Sequence, residues 1–311
     1  MLIVFLGTPE FAVPSLNGLV SAGHEVIAVF TQPDRPKGRG NQLAPSPVKM
    51  AATGLRLPVY QPERIRRPEN VELLRSLHAE LMVVVGFGQI IPQNIIDLPK
   101  HGILNVHASL LPKYRGAAPI QWAIANGETE TGVTIMRIDA GLDTGDMLLK
   151  MPLTVGPEET AAELSARMAP LGADLLLRAV GEIECGTVMR EKQNDAEATL
   201  APILRKEDGW IDWRRPAQQI YNRLRGFMPW PGAYTTLQGE QLSILRAAAA
   251  SSCHLQPGVL HIEQRRLFVG AGQGSALELL EVQLAGRRRM SAEAFLNGYR
   301  PPEGARLGAD N

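Results

Sequence analysis

The first half of the 311-residue sequence alternates short apolar runs with helix-like segments, and this alternation restricts the folds open to it. Leu81–Val85 is apolar at every position, as in a strand that is buried on both faces of a sheet. Similar runs lie at residues 2–6, 25–30, 103–106 and 132–138, and helices are predicted at 14–22, 70–78 and 160–180. Strands that alternate with helices in this way predict a doubly wound parallel sheet.

The second half indicates a different architecture. The length favours two domains, and we expect them at 1–189 and 207–311, joined by a polar linker at 190–206 that lacks periodic apolar positions. After the linker, short apolar runs alternate with glycine-rich turns, which predicts a small OB-like β-barrel. Its predicted elements are a helix at 217–226 and strands at 233–237, 241–246, 266–270 and 276–282.

The net charge of the chain argues against a strongly basic nucleic-acid binder, but its distribution is compatible with a weaker binding site for a polyanion. Lysine plus arginine and aspartate plus glutamate both number 32, so the formal net charge is zero. Residues 1–189 hold 16 basic and 19 acidic side chains, and residues 190–311 hold 16 and 13, which gives −3 and +3. This mild asymmetry suggests that a polyanion faces the second domain.

Cysteine usage and the apolar segments suggest a cytoplasmic protein. Cys185 and Cys253 form no motif, so no disulfide framework is expected. The apolar amino terminus has no basic stretch before it and indicates a buried strand rather than a signal peptide. No apolar run approaches the length of a membrane span. We expect a monomer, because neither a heptad pattern nor a long exposed apolar face stands out.

A polar cluster follows the apolar run at 103–106. Asn105, His107 and Ser109 occupy alternate positions, so they would share one face if the strand continued through them. Asp143 lies in the polar segment 139–146 and can supply a carboxylate. Open α/β sheets bind their ligands at the carboxyl ends of the strands, which makes this cluster the candidate catalytic site.

Other chemistries fit these residues less well. A Ser109–His107–Asp143 hydrolase is conceivable, but no Gly-x-Ser-x-Gly elbow surrounds the serine. Zinc is not expected, because one histidine with two aspartates is a poor ligand set and no zinc motif is present. A dinucleotide site is rejected, since the first turn places Pro9 and Phe11 where close phosphate approach needs glycines.

A long basic segment, residues 33–49, separates the second predicted strand from the next helix. It is rich in proline and glycine, and its basic residues are Arg35, Lys37, Arg39 and Lys49. Long irregular segments inside compact domains are usually functional or disordered. A basic, adaptable loop suits contact with a nucleic acid.

The motifs together resemble the folate-dependent formyltransferases. The similar segments lie at 5–12, 31–36, 38–40, 105–112, 115–121, 130–136, 141–147, 211–213 and 229–231. The resemblance is strongest to the members that formylate initiator methionyl-tRNA. It implies a Rossmann-like catalytic domain followed by an OB-like, tRNA-binding domain. It also implies transfer of a formyl group from 10-formyltetrahydrofolate to the amino group of methionine on that tRNA, for translation initiation, with no metal.

The resemblance also implies roles for individual residues. Asn105, His107 and Asp143 would be catalytic. The folate would be bordered by Ser109, Leu110, Leu111 and Pro112 and by Phe87, Gly88 and Ile90. The tRNA would be contacted by Arg35, Lys37, Arg39 and Lys49, with Arg39 the most important of them.

Two alternatives remain open at the level of sequence. A related folate enzyme can formylate an amino sugar or a glycinamide nucleotide with the same Asn105, His107 and Asp143. The basic segment 33–49 favours the tRNA substrate, because a small sugar needs no such loop. A catalytically silent nucleic-acid-binding protein is disfavoured, because all three catalytic side chains are present.

Overall fold

A computed structural model of the chain describes residues 1–37, 42–250, 255–299, 301–302 and 304–308, with residues 37 and 42 described by their backbone only. The strands are β1 (Leu2–Gly7), β2 (Glu25–Phe30), β3 (Arg35–Lys37), β4 (Gln42–Ala44), β5 (Val59–Tyr60), β6 (Leu81–Val85), β7 (Ile103–His107), β8 (Glu130–Arg137), β9 (Met147–Thr154), β10 (Ala233–Leu237), β11 (Glu240–Ala250), β12 (Leu260–Glu263), β13 (Arg266–Gly270), β14 (Ala276–Leu284) and β15 (Met290–Ser291). The helices are α1 (Val13–Ser21), α2 (Pro47–Gly54), α3 (Pro68–Ser76), α4 (Gln93–Ile96), α5 (Pro119–Ala125), α6 (Ala161–Cys185), α7 (Ala217–Phe227) and α8 (Ala292–Tyr299).

The chain divides into two compact units. The first contains residues 1–119, 130–154 and 164–202, and the second contains residues 120–129, 155–163 and 203–311. Of the predicted linker 190–206, residues 190–202 therefore cluster with the first unit. Within the described ranges, no helix has both the length and the apolar character needed to cross a membrane.

The first unit is built on a seven-stranded sheet with the order β5-β2-β1-β6-β7-β8-β9. The five strands from β5 to β7 are parallel, which confirms the predicted parallel-dominated α/β fold. β8 and β9 pair antiparallel and so depart from a wholly parallel sheet. Residues 120–129 of the connection from β7 to β8, which include most of α5, cluster with the second unit, whereas a parallel pair needs a crossover that packs on the sheet.

Burial explains why the central strands read as continuous apolar runs. All five residues of β6 are buried, because this strand lies between β1 and β7 and is covered on both faces. Met82 and Val84 share a buried cluster with Phe30 of β2 and Phe87, which follows β6. The centre of the sheet thus fixes the strand ends from which the loops at 86–90 and 108–112 emerge.

The basic segment 33–49 is more regular than its composition suggests. β3 and β4 form an antiparallel pair within it, and α2 already begins at Pro47. The Ser46 side chain caps this helix by accepting a hydrogen bond from the Lys49 backbone at 3.0 Å. The prediction of one irregular loop was therefore wrong for the described residues, because a proline at the first helical position favours helix initiation.

The second unit contains a separate antiparallel sheet, as predicted. Its strands follow the order β10-β11-β14-β13-β12, and β15 pairs with β14. The buried core includes Trp213, whose indole nitrogen donates to the Thr235 hydroxyl at 3.2 Å. Arg225 of α7 is also buried and donates to the carbonyl oxygens of Gly156 and Glu159, each at 3.0 Å. Burial lowers the pKa of this guanidinium from its ordinary value.

The importance of β6 can be tested by removing one of its side chains. Leu81 is completely buried, so Leu81→Ala leaves a cavity and should lower the free energy of unfolding by about 2–5 kcal/mol. Leu43→Ala serves as the control, because Leu43 is 70% exposed and should change it by no more than about 0.5 kcal/mol. Urea unfolding followed by circular dichroism measures both, and equal losses would contradict the assignment of Leu81 to the core.

Candidate active site

β7 presents two of the predicted catalytic residues. Asn105 and His107 lie two positions apart on this strand and therefore point to the same face. Across the sheet they pair with Met136 and Thr134 of β8. The strand ends at His107, so Ser109 does not continue this face as the sequence suggested. Thr134 explains the ending, because its hydroxyl donates to the Ser109 carbonyl at 2.7 Å and holds that residue in a turn.

The surroundings of His107 determine which ring nitrogen carries the hydrogen. Nε2 lies 2.9 Å from the Tyr114 carbonyl oxygen, and a carbonyl oxygen can only accept. Nε2 is therefore the donor, and the lone pair of the neutral ring is on Nδ1. Nδ1 lies 3.7 Å from Oδ2 of Asp143, and the imidazole is only 5% exposed. A protonated His107 would consequently form a buried ion pair with Asp143.

Asp143 brings the three predicted catalytic side chains together. Its Oδ2 accepts a hydrogen bond from the Gly116 backbone at 2.8 Å, and its Oδ1 lies 3.4 Å from Nδ2 of Asn105. Its backbone is in the left-handed region with φ 52°, a conformation that costs a non-glycine residue about 1–2 kcal/mol. Neighbouring groups must therefore hold this turn in place.

Two side chains stabilise the turn that carries Asp143. Nε2 of Gln193 donates to the carbonyl oxygens of Asp143 and Gly145 at 2.7 and 2.8 Å. Oδ1 of Asp139 accepts from the Thr144 hydroxyl at 2.7 Å and from the Gly141 backbone at 3.0 Å. The aspartates here thus make hydrogen bonds within the protein. In the described part of the chain, no three His, Cys, Asp or Glu side chains are grouped as metal ligands.

The turn after β7 contains four of the predicted folate residues. The Ser109 hydroxyl is buried and donates to the Lys113 carbonyl at 2.6 Å. The Leu111 backbone donates to the Thr134 hydroxyl at 3.1 Å, and the Leu111 side chain is buried. Leu110 and Pro112 are partly exposed. The Ser109 and Leu111 side chains are therefore used inside the protein, which leaves Leu110, Pro112 and the backbone for a ligand.

The other three predicted folate residues follow β6, which is adjacent to β7. Phe87 is 1% exposed and packs in the core, so its side chain is not at the surface. Its carbonyl oxygen accepts from Thr8 and Gln32, each at 3.1 Å, which fixes the loop. Gly88 and Ile90 are exposed, and Ile90 is 89% exposed although it is apolar.

The predicted tRNA-contacting residues have different environments. Arg35 is exposed. Lys37 ends β3, and Arg39 lies outside the described residues. Lys49 is paired, because its Nζ lies 2.6 Å from Oδ2 of Asp34. Hydrogen bonds from Lys49 and Gln61 hold the pKa of the Asp34 carboxyl below its ordinary value.

Several groups at this site were not predicted from the sequence. They are the Tyr114 carbonyl, the Gly116 amide, Thr134, Gln193 and Thr199, whose hydroxyl accepts a hydrogen bond from the Tyr114 backbone. Thr134 could have been found by aligning the β-branched run at 132–138 with the strand that carries His107. No sequence signal marks Gln193, because it lies fifty residues beyond Asp143 in a polar segment without periodicity.

Comparison with protein families identifies both halves of the chain. The formyl transferase family matches residues 1–180, and the formyl transferase C-terminal domain matches residues 203–300. The chain belongs to the formyl transferase family. The resemblance inferred from residues 105–112 and 141–147 is therefore confirmed at the level of the family.

Relatives of this formyl transferase match it along its whole length. A methionyl-tRNA formyltransferase of Solibacter usitatus (strain Ellin6076) is 61% identical over 309 residues, which cover 99% of each chain. One of Koribacter versatilis (strain Ellin345) is 58% identical with the same coverage. A third, of Geobacter metallireducens, is 52% identical over 98% of each chain.

Solved structures of lower identity share the fold. WlaRD, a sugar 3N-formyl transferase determined in the presence of dTDP and 5-N-formyl-THF, superposes with a TM-score of 0.69 at 20% identity, covering 93% of this chain and 99% of its own. HypX from Aquifex aeolicus, in complex with tetrahydrofolic acid, gives a TM-score of 0.63 at 18% identity, covering 97% of this chain and 48% of its own.

Gly116 offers a direct test of the site geometry. Its φ is 122°, and a Cβ added there would lie 2.6 Å from the Ala201 carbonyl oxygen. Gly116→Ala should therefore lower the free energy of unfolding by about 1–3 kcal/mol, through strain and backbone displacement. The matched control is Gly181→Ala in α6, because nothing lies within 4 Å of a Cβ added at Gly181. This substitution should increase the free energy of unfolding by about 0.5–1 kcal/mol. Thermal unfolding of both variants measures the difference, and a neutral Gly116→Ala would refute the close contact.

Proposed function

We propose that this formyl transferase transfers the formyl group of 10-formyltetrahydrofolate to the methionine amino group of initiator methionyl-tRNA, for translation initiation. The observation that carries the proposal is full-length identity of up to 61% to methionyl-tRNA formyltransferases, in a chain that assembles Asn105, His107 and Asp143. The tetrahydrofolate ligands of the structural neighbours agree with the donor. The enzyme works as a monomer in the cytoplasm, where translation takes place.

The reaction requires a proton to move between two nitrogen atoms. The methionine amine attacks the formyl carbon, negative charge develops on the formyl oxygen, and the bond to N10 of the folate then breaks. The amine proton is taken up by the His107–Asp143 pair and returned to N10 as it leaves. The Asp143 carboxylate stabilises the imidazolium formed on the way, as in other histidine–carboxylate pairs.

Asn105 stabilises the oxygen on which the charge develops. One hydrogen of its amide is directed at Asp143, at an N–O distance of 3.4 Å, and the amide carries a second hydrogen for an incoming oxyanion. A donor placed in this way lowers the barrier by about 3 kcal/mol. Gly116 keeps the Asp143 carboxylate beside both side chains.

The folate lies against the two loops that follow β6 and β7. Gly88 and Ile90 border it on one side, and Leu110 and Pro112 border it on the other, since these residues are exposed or partly exposed. Phe87, Ser109 and Leu111 contribute through their backbone, because their side chains are buried. Apolar walls with a few polar backbone groups are typical of cofactor sites.

The tRNA is contacted by the basic segment 33–49. Arg35, Lys37 and Arg39 supply charge for phosphate or base contacts. Lys49 contributes less, because its ammonium is paired with Asp34. Residues 190–311, which hold 16 basic and 13 acidic side chains, add sequence-independent contacts to the tRNA backbone.

The catalytic roles can be tested with two substitutions. His107→Ala and Asn105→Ala should each reduce kcat for formyl transfer by about a hundredfold or more, because each removes a proton carrier or an oxyanion donor. His101→Ala is the control and should retain wild-type kcat, since His101 precedes β7 and lies at the opposite end of this strand. Turnover near the wild-type value in either variant would exclude the proposed role.

The same assay separates the acceptor substrates. Formyl transfer is measured with charged initiator tRNA and with amino sugars under identical conditions. Transfer to the tRNA alone is expected, because amino-sugar relatives share only the fold at 20% identity. Transfer to an amino sugar alone would replace the proposed acceptor.

Arg39 tests whether the basic segment reads tRNA. Arg39→Ala should lower kcat/KM for initiator methionyl-tRNA. The corresponding loss of transition-state stabilisation should be about one to a few kcal/mol, the value of a good bidentate contact. The Kd for the folate donor should not change. Lys100→Ala, a substitution of an exposed cation, is the control for loss of charge alone. Equal losses on both substrates would assign the segment to the folate pocket or the fold instead.

A further inference from the structure

Residues 193–201 run along the candidate active site although the sequence placed them in a linker. They lie between the two family matches, which end at residue 180 and resume at residue 203. They belong to the first unit. We call residues 193–201 the strap. Hydrogen bonds join it to the turn that contains Asp143 and to the turn at Tyr114, whose carbonyl oxygen contacts His107.

One end of the strap holds the turn of Asp143. Arg115 donates from Nε to Oε1 of Gln193 at 2.9 Å, so the oxygen of this amide faces the guanidinium. Nε2 therefore faces the other way, where it donates to the carbonyl oxygens of Asp143 and Gly145. A single side chain thus ties the carbonyl of Asp143, whose φ is 52°, to the carbonyl two residues further along the turn.

The other end of the strap holds the turn that contacts His107. Tyr114, whose carbonyl oxygen accepts from the imidazole, donates its backbone N–H to the Thr199 hydroxyl at 2.9 Å. The Arg115 backbone donates to the Thr199 carbonyl at 2.9 Å and accepts from Ala201 at 2.7 Å. The strap therefore runs alongside the turn in the manner of a short added strand.

Arg115 connects the two ends. It is 7% exposed, and its guanidinium contacts Gln193 through Nε and Asp195 through Nη2, the latter at 2.7 Å. A buried guanidinium is fixed by its partners, since leaving it unpaired would be costly. Asp195 itself is 82% exposed, so this ion pair is screened by water and contributes little. Gln193 is the partner that matters for position.

We propose that Gln193 and Thr199 are positioning residues, which set the distance between the Asp143 carboxylate and the His107 imidazole. The proposal rests on the function proposed above, because it assigns catalysis to that pair. Neither residue is assigned a contact with the substrate. Each acts through the backbone of a turn, and small displacements of catalytic groups are costly because reacting atoms must be closely aligned.

Gln193→Glu isolates the contact to Asp143. The glutamate has nearly the same shape and can still accept from Arg115, but it cannot donate to the carbonyl oxygens of Asp143 and Gly145. We expect kcat for formyl transfer to fall about tenfold to a hundredfold, with KM for the folate donor within about twofold of wild type. Gln193→Ala, which adds no charge, should give the same division between kcat and KM.

Thr199 provides an independent pair of variants. Thr199→Val removes the hydroxyl that accepts from the Tyr114 backbone while keeping the shape of the side chain. It should lower kcat about tenfold, and Thr199→Ser, which retains the hydroxyl, should restore it. Asp195→Asn is the control on the same segment, because the asparagine oxygen can still accept from Nη2 of Arg115 and only the exposed negative charge is lost, and it should retain wild-type kcat.

Melting temperature and folate binding are measured on every variant. A positioning role predicts a loss of kcat at unchanged folate Kd in variants that remain folded. Wild-type kcat in Gln193→Glu, Gln193→Ala and Thr199→Val would overturn the proposal, and so would losses that follow the melting temperature alone. If the unmodified enzyme formylates neither tRNA nor amino sugars, the proposed function itself fails, which is distinct from failure of the strap.

Discussion

The candidate active site depends on the left-handed backbone of Asp143. In that conformation the carboxylate can accept the Gly116 N–H and face both Asn105 and His107. The conformation is not intrinsically favoured, so surrounding hydrogen bonds must supply the difference in free energy. The sheet contributes rigid positions for Asn105 and His107, and the turn brings the third group to them. The sheet is therefore stabilised by strand pairing and apolar burial, whereas the turn of Asp143 is stabilised by hydrogen bonds from other segments of the chain.

Much of the sheet was predictable because its signal is local. Continuous apolar runs identified β1, β2, β6 and β7, and two-residue spacing placed Asn105 and His107 on one face. The pairing of the strands as a parallel sheet followed from their alternation with helices. The antiparallel pairing of β8 was not visible, because strand direction depends on where the connecting segment packs and not on the strand's own residues.

The contacts that the sequence did not indicate have a common feature. Ser109 fits the alternation of β7, but Thr134 from a neighbouring strand draws its backbone into a turn. Lys49 is basic, but Asp34, fifteen residues away in sequence, neutralises it. Gln193 has no local pattern at all, since its partners lie fifty and forty-eight residues earlier. Polar contacts of this range carry no periodicity, so only the folded chain shows them.

The strap changes where the first unit should be considered to end. A chain cut after residue 189 would keep all strands of the seven-stranded sheet, together with Asn105, His107 and Asp143. It would lack Gln193, Thr199 and Ala201, and hence the side-chain and backbone bonds that hold Tyr114, Arg115 and the Asp143 turn. Such a fragment would contain every predicted catalytic side chain without the framework that aligns them. The first unit itself extends to Pro202.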